Sequence, residues 1–171
     1  SSNTSTIPLS ILTQEMSDSM KADFCITHFF NPVRFMRLLE IVETPTMNKD
    51  KMGGLRDFCK NELGKGIVNC NDTPGFIGNR IGVYAMQVAM YEALERGLPV
   101  EIADALFGRP LGIPKTGVFG LYDLIGIDLM KDVLASFKKE LQEDDPFMDV
   151  VKPHPLVEQL LDKGYNGNKV P

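Results

Sequence analysis

The chain lacks a net positive charge, long apolar runs and clustered metal ligands, and each absence argues against a class of protein. A formal net charge of -5 and a pI near 5.0 argue against a nucleic-acid partner, which would favour a basic face. No apolar run approaches the roughly 20 residues of a membrane-spanning helix. The 3 cysteines, Cys25, Cys59 and Cys70, do not have metal-ligand spacing. We therefore expect no metal site, no membrane span and reduced core cysteines in a cytoplasmic protein.

The first part of the chain has the pattern of strands around one helix. Short apolar runs at 25–30, 38–43 and 66–70 predict strands. The stretch 46–63 predicts a helix that stops at Gly64. The inner face of that helix is predicted to hold Met52, Leu55, Cys59 and Leu63. We interpret this part as the tail of an α/β sheet.

The second part has the pattern of a helical domain. The Asp-Thr-Pro-Gly sequence at 72–75 is typical of a turn, and we interpret it as a hinge. Beyond it, an apolar stripe with spacings of three and four predicts one long, largely buried helix that ends at Gly97. The stripe consists of Ile77, Ile81, Tyr84, Val88, Tyr91 and Leu94. Further helices are predicted at 100–107, 121–141 and 155–162, the second with Met130, Val133, Leu134, Phe137 and Leu141 inward.

A titratable pair stands out in a chain that has only 2 histidines. His28 lies in the strand predicted at 25–30, and Glu40 lies in the next, so alternation along neighbouring strands could bring the two side chains together. An imidazole held by a carboxylate is fixed in one tautomer and made more basic, which suits it to take a proton from a hydroxyl. The alternative is a buried histidine satisfied by a backbone carbonyl, with Glu40 in solvent.

Several short motifs surround this pair in a fixed order. They are Ser-Asn-Thr-Ser at 2–5, His-Phe-Phe-Asn-Pro at 28–32 and Pro-Gly-Phe-Ile-Gly-Asn-Arg at 74–80. Matching blocks follow at 92–97, 108–114 and 121–128. Together they resemble the L-3-hydroxyacyl-CoA dehydrogenase family over nearly the whole chain. The Lys-Thr-Gly-Val-Phe-Gly variant at 115–120 looks most like the dehydrogenase part of multifunctional β-oxidation proteins.

The resemblance implies a fold and an activity. The fold is an α/β remnant of a Rossmann-like sheet, here 1–71, followed by an all-α substrate and dimerisation domain, here 72–171. The activity is oxidation of (3S)-3-hydroxyacyl-CoA to 3-oxoacyl-CoA with NAD in fatty acid β-oxidation. The expected partners are the acyl-CoA substrate and either a second copy of the chain or adjacent domains of a larger protein.

The resemblance also assigns roles to individual residues. His28 matches the base and Glu40 matches the carboxylate that orients it. Ser5 and Asn79 match the polar groups that hold the substrate, and Asn3 and Asn31 match residues near the nicotinamide. Without the resemblance, Ser5 would be interpreted as a turn residue or helix cap and Asn79 as an N-terminal helix cap.

The family's phosphate-binding motif is missing from the sequence. The family binds NAD through a Gly-x-Gly-x-x-Gly turn, and the glycines at 53–54, 64–66 and 117–120 all fail that spacing. We therefore expect a fragment that begins in the last third of the nucleotide-binding domain and has no activity by itself. Two alternatives stay open: a helical assembly module, and a dehydrogenase for a non-CoA hydroxy acid. Retention of Ser5, His28, Glu40 and Asn79 favours an enzyme over the module.

Overall fold

A computed structural model describes residues 1–112, 115–152 and 154–169 of the chain. Contacts divide the chain into two compact units, Ser1–Arg80 and Ile81–Pro171. The predicted Gly/Pro loop at 108–114 lies partly outside the described residues, at 113–114, and the prolines at 153 and 171 lie outside them as well. The predicted domain limits, 1–71 and 72–171, stay a proposal.

The first unit is a mixed three-stranded sheet with helices. Its strands are β1 (Ile26–Phe29), β2 (Leu38–Val42) and β3 (Gly66–Asn69), in the order β1-β2-β3. β1 and β2 are antiparallel, and β2 and β3 are parallel. The helices are α1 (Leu9–Leu12), α2 (Asp18–Lys21) and α3 (Lys49–Asn61). The sheet remnant predicted from the sequence is thus confirmed, with each strand within two residues of its expected limits.

Alternation along the strands gives the sheet two different faces. One face carries Leu39 and Ile41, which pack with Met52 and Cys59 of α3. The other face carries Ile26 and Val42, which form a second cluster with Leu9 and Phe76. The side chains of His28 and Glu40 alternate onto this second face, so a polar pair lies next to an apolar cluster.

α3 is shorter than the sequence pattern predicted. The Asn48 side chain accepts hydrogen bonds from the N–H groups of Asp50 and Lys51, which fixes the start of the helix. The helix ends at Asn61, ahead of Gly64 at a φ of 64°. The assignment of Leu63 to the inner face was therefore wrong, because this side chain lies beyond the helix and is 43% exposed.

The second unit is mostly helical, as predicted. α4 (Gly78–Glu95) begins in the first unit and continues into the second, where α5 (Val100–Leu106), α6 (Phe119–Ile125), α7 (Ile127–Glu140) and α8 (Pro155–Asp162) follow. The predicted helix at 121–141 is two helices, because Gly126 adopts a φ of 101° between α6 and α7. The predicted inward residues of α7 do pack against the core, around the fully buried Phe137.

The buried face of α4 is not the one that the sequence pattern predicted. Ile77, Tyr84 and Val88 are exposed, and Ile81 is 65% exposed. Of the predicted stripe, Tyr91 and Leu94 pack against the core, and the ring of the partly exposed Tyr84 has its centroid 6.1 Å from that of the core residue Phe147. The buried residues are Val83, Met86, Gln87, Ala89, Met90 and Ala93. The prediction failed because α4 is apolar on both faces, so periodicity alone did not decide which face is buried.

Neither a membrane helix nor a metal cluster is present within the described ranges. No helix there combines the length and apolarity needed to cross a membrane. No group of three or more His, Cys, Asp or Glu side chains there lies close enough to hold a metal ion.

Replacing Phe137 by Ala should lower the free energy of unfolding of the helical unit by about 3–5 kcal/mol. The aromatic ring is fully buried against Phe147, so its removal leaves a cavity. Leu124→Ala is the control, because Leu124 is 61% exposed and its truncation should change stability by less than about 0.5 kcal/mol. Urea denaturation followed by circular dichroism measures both variants, and equal losses would contradict this placement of the core.

Candidate active site

The His28 and Glu40 side chains meet on one face of the sheet. The β1–β2 register places the two residues directly opposite each other, which brings their side chains onto the same face. His28 Nδ1 lies 2.7 Å from Glu40 Oε2, and the two residues are 3% and 0% exposed. The predicted hydrogen bond is confirmed. The alternative of a solvated Glu40 and a backbone-bonded histidine is wrong.

The second oxygen of Glu40 is bound by the start of α4. Oε1 accepts hydrogen bonds from the N–H groups of Ile77, at 3.0 Å, and Gly78, at 2.7 Å. Burial raises the pKa of the Glu40 carboxyl, but the hydrogen bonds from His28, Gly78 and Ile77 more than offset it, so the pKa lies below its usual value of 4.5. Glu40 is therefore held as a carboxylate.

The far nitrogen of His28 faces Ser5. In the neutral imidazole, Nδ1 carries the proton that it donates to the ionised Glu40, which leaves Nε2 as an acceptor. Ser5 Oγ lies 3.0 Å from Nε2, so its hydroxyl donates to the ring. The Phe30 and Phe76 rings flank the imidazole at centroid distances of 4.6 and 5.6 Å. Nε2 is thus the one ring position that can exchange a proton with a hydroxyl.

The three asparagines predicted at the site have different surroundings. Asn3 Oδ1 accepts a hydrogen bond from the Phe29 N–H at 2.9 Å, so this side chain anchors the N-terminal segment to β1. Asn31 is exposed just after β1, and Asn79 is half-buried in the first turn of α4. Neither is hydrogen-bonded to Ser5, His28 or Glu40 in the described part of the chain. Their assigned roles stay predictions.

The cap interpretations of Ser5 and Asn79 do not hold. α1 begins at Leu9, four positions beyond Ser5. The N–H groups of its first turn donate to Asp72 and not to Ser5. Asn79 lies inside α4, which begins at Gly78. Both side chains are therefore free of the helix-capping role that the sequence alone would have given them.

The turn that follows β3 contains contributors that the sequence pattern did not reveal. Asp72 accepts hydrogen bonds from the N–H groups of Leu9 and Ser10. Phe76 adopts a φ of 47° that places its buried ring beside His28. The turn motif Asp-Thr-Pro-Gly was visible in the sequence, but nothing there indicated which N–H groups its aspartate binds.

The cysteines are not nucleophiles of the site. Cys25, Cys59 and Cys70 are free thiols. Burial raises the pKa of the Cys25 and Cys59 thiols. Burial, and secondarily the Glu40 carboxylate, raise the pKa of Cys70 to about 11. A thiol with so high a pKa stays protonated near neutral pH and is a poor nucleophile.

Two family descriptions match the chain almost end to end. Residues 1–73 match the family described as "3-hydroxyacyl-CoA dehydrogenase, NAD binding domain". Residues 75–171 match the one described as "3-hydroxyacyl-CoA dehydrogenase, C-terminal domain".

Individual relatives agree with these matches. The Rickettsia felis protein named "Putative fatty acid oxidation complex trifunctional enzyme" is 40% identical over 98% of this chain and 23% of its own length. Hydroxyacyl-coenzyme A dehydrogenase, mitochondrial, of Rattus norvegicus is 35% identical over 98% of this chain and 51% of its own length. The crystal structure of M. tuberculosis FadB2 superposes with a TM-score of 0.80 at 28% identity, over 98% of this chain and 56% of that one. The chain thus spans from about a quarter to just over half of the length of these proteins.

Glu40→Gln should lower stability by about 3 kcal/mol near neutral pH, because it removes the charge from a buried hydrogen-bonded pair. The folded pKa of Glu40 is depressed, so its contribution is complete above the usual pKa of 4.5 and is lost as the pH falls through the folded value. The difference between wild type and variant should therefore shrink below a pH of about 4.5. Urea denaturation across this pH range measures it.

Glu43→Gln is the matched control, since Glu43 is partly exposed and paired with Arg56 at 3.2 Å. Its cost should stay below about 1 kcal/mol. A Glu40→Gln cost that is constant from neutral pH to acid would contradict the ionised state assigned to Glu40.

Proposed function

The chain belongs to the 3-hydroxyacyl-CoA dehydrogenase family, and from that premise we propose that it supplies the base and the helical substrate domain of such an enzyme. The reaction is oxidation of (3S)-3-hydroxyacyl-CoA to 3-oxoacyl-CoA with NAD, as in fatty acid β-oxidation. The observation that carries the proposal is the relay from Glu40 through His28 to Ser5, with hydrogen-bond distances of 2.7 and 3.0 Å.

In the proposed reaction His28 is the general base. The 3-hydroxyl group of the substrate takes a position beside Nε2, where the Ser5 hydroxyl now donates. Nε2 removes the hydroxyl proton as the hydride leaves C3, and the imidazolium that forms is stabilised by Glu40. Glu40 keeps its negative charge throughout because the Ile77 and Gly78 N–H groups hold its other oxygen.

Ser5 and Asn79 are the proposed substrate-binding residues. The Ser5 hydroxyl is already at the base and can turn to hold the reacting oxygen once a substrate hydroxyl occupies Nε2. Asn79 follows Gly78, whose N–H binds the Glu40 carboxylate, so it is adjacent in sequence to a residue of the site. We propose that the Asn79 amide binds the thioester carbonyl.

The residues of this chain fit one end of NAD. Asn3 and Asn31 are exposed amides near the end of β1, and the Asn3 oxygen is taken by Phe29, which leaves its NH₂ group to donate. These two residues would hold the nicotinamide end. NAD, when bound, supplies the hydride acceptor. The pyrophosphate needs a glycine-rich turn, which the sequence of the chain does not contain.

The test uses a hybrid enzyme in which residues 1–171 replace the matching segment of the rat enzyme. His28→Gln in this hybrid should lower turnover of 3-hydroxybutyryl-CoA by about 100- to 10,000-fold, because a general base acts on the hydroxyl proton. NADH affinity, measured by fluorescence titration, should stay the same.

His154→Gln is the matched control for this experiment. His154 is the other histidine of the chain; its Nδ1 caps α8 by accepting a hydrogen bond from the Leu156 N–H, and its ring packs against that of Tyr91. Its replacement should leave turnover unchanged. Near-normal turnover by His28→Gln would refute the base, and faster turnover of free 3-hydroxybutyrate than of the CoA ester would favour a non-CoA hydroxy acid as the substrate.

A second function, assembly of copies of the chain, is favoured by the outer face of α4. Ile81, Tyr84 and Val88 recur on this face, and all three are exposed. Exposed apolar side chains arranged in a helical stripe are typical of an interface between helices. This proposal is compatible with the dehydrogenase, because the face does not include His28, Glu40 or Ser5.

Ile81→Lys should convert self-associated chain into monomer, because a charge at the middle of an apolar interface is left unpaired. Leu124→Lys is the control, since Leu124 is equally exposed on α6 but outside the α4 face. Size-exclusion chromatography with light scattering measures the mass of each. A wild-type chain that is already monomeric, or an Ile81→Lys chain of unchanged mass, would contradict the interface.

A further inference from the structure

Asp72 takes no part in the proposed chemistry, yet it joins distant parts of the first unit. Its Oδ2 accepts a hydrogen bond from the Ser10 N–H at 2.9 Å, and its Oδ1 accepts one from the Leu9 N–H. These N–H groups lie in the first turn of α1, where a helix has no internal partners for them. A helix of 4 residues is too short to be stable alone, so α1 depends on tertiary contacts, and these include this carboxylate and the burial of Leu9.

The position of α1 in turn limits where Ser5 can lie. Before Ser5, the chain is fixed to β1, because Ser2 exchanges backbone hydrogen bonds with Cys25 and Thr27 at 3.1 and 2.9 Å. After Ser5, the next fixed point is Leu9, which is buried and bound by Asp72. Only the short segment 3–8 connects these two anchors, and the Ile7 N–H tightens it by donating to Thr4 Oγ1 at 3.1 Å.

The same turn also holds the other half of the relay. Four positions after Asp72, the Phe76 ring packs beside His28, and the next two residues donate their N–H groups to Glu40. The segment 72–78 therefore contacts both sides of the imidazole: the carboxylate side directly, and the hydroxyl side through α1.

We propose that Asp72 is a positioning residue that sets the Ser5 hydroxyl against His28 Nε2 by holding the first turn of α1. Its role in catalysis rests on the proposed dehydrogenase function, but its effect on the Ser5–His28 hydrogen bond does not. The competing explanation is that Asp72 is only a helix cap that stabilises the fold. Asp104 provides the comparison, because its carboxylate accepts the Phe119 and Gly120 N–H groups at 2.7 and 2.9 Å in the same manner at α6.

The first measurement is the imidazole ¹⁵N spectrum of the chain itself, which has only His28 and His154 to resolve. Ser5→Ala removes the donor to Nε2 and should move the His28 Nε2 resonance downfield. Asp72→Asn should move it in the same direction, because the asparagine NH₂ group faces one of the two N–H groups and displaces α1. Asp104→Asn should leave it in place while still lowering thermal stability.

An unchanged His28 Nε2 resonance in Asp72→Asn would overturn the proposal, whether or not the chain is active. If Asp72→Asn does not fold, Asp72→Glu replaces it: the added methylene keeps the charge but moves the oxygens relative to Leu9. The same downfield shift is expected, and the same absence of shift would overturn the proposal.

The second measurement is a double-mutant cycle in the hybrid enzyme. If Asp72 acts through Ser5, the loss of kcat/KM caused by Ser5→Ala should be at least about 3-fold smaller in the Asp72→Asn background than in the wild type. A cap that only stabilises the fold would give equal losses in both backgrounds, which would overturn the proposal. An inactive hybrid that still shows the ¹⁵N shift would refute the dehydrogenase function and leave the positioning role intact.

Discussion

The buried carboxylate of Glu40 is the group on which the first unit depends. A fully buried charge is costly unless hydrogen bonds replace the water that it has lost. Glu40 receives three: one from His28 and two from the N–H groups of Ile77 and Gly78. All three hydrogen bonds form only if the β1–β2 register, the turn after β3 and the start of α4 are in place together. An arrangement that misplaced any of these three elements would leave the charge unsatisfied, so the site and the fold are specified together.

Two other carboxylates also accept pairs of backbone N–H groups at the start of a helix. Asp72 binds two adjacent N–H groups at the start of α1, and Asp104 binds two at the start of α6. In each case the acid comes from a distant part of the chain and not from the helix that it caps. Part of the negative charge of the protein is thus structural, because a helix N-terminus favours an anion. Gly117 fits this arrangement, since a Cβ there would lie 2.5 Å from Asp104.

The sequence predicted best those features for which a residue pattern is compatible with only one local structure. Short apolar runs located the three strands, and alternation along neighbouring strands indicated that the side chains of His28 and Glu40 could meet. The carboxylate caps could not be predicted, because an aspartate in a turn has many backbone N–H groups within reach. The φ of 101° at Gly126 could not be predicted from the sequence, since glycine is also compatible with a continuous helix. The sequence therefore predicted the His28–Glu40 pair but not the turn whose N–H groups bind Glu40.

The orientation of α4 shows how a polar group can decide what an apolar pattern leaves open. The helix has apolar residues on both faces, so burying either would remove similar areas from water. Gln87 is buried because its amide donates to the Val150 carbonyl at 2.9 Å and its oxygen accepts from the Tyr122 hydroxyl. Turning the helix to bury Ile81, Tyr84 and Val88 would move Gln87 away and leave those two buried groups without their partner. An unsatisfied buried polar group costs about 1–3 kcal/mol, which is enough to select one of two otherwise similar faces. The exposed apolar face of α4 is therefore a consequence of a hydrogen-bonded glutamine on its opposite side.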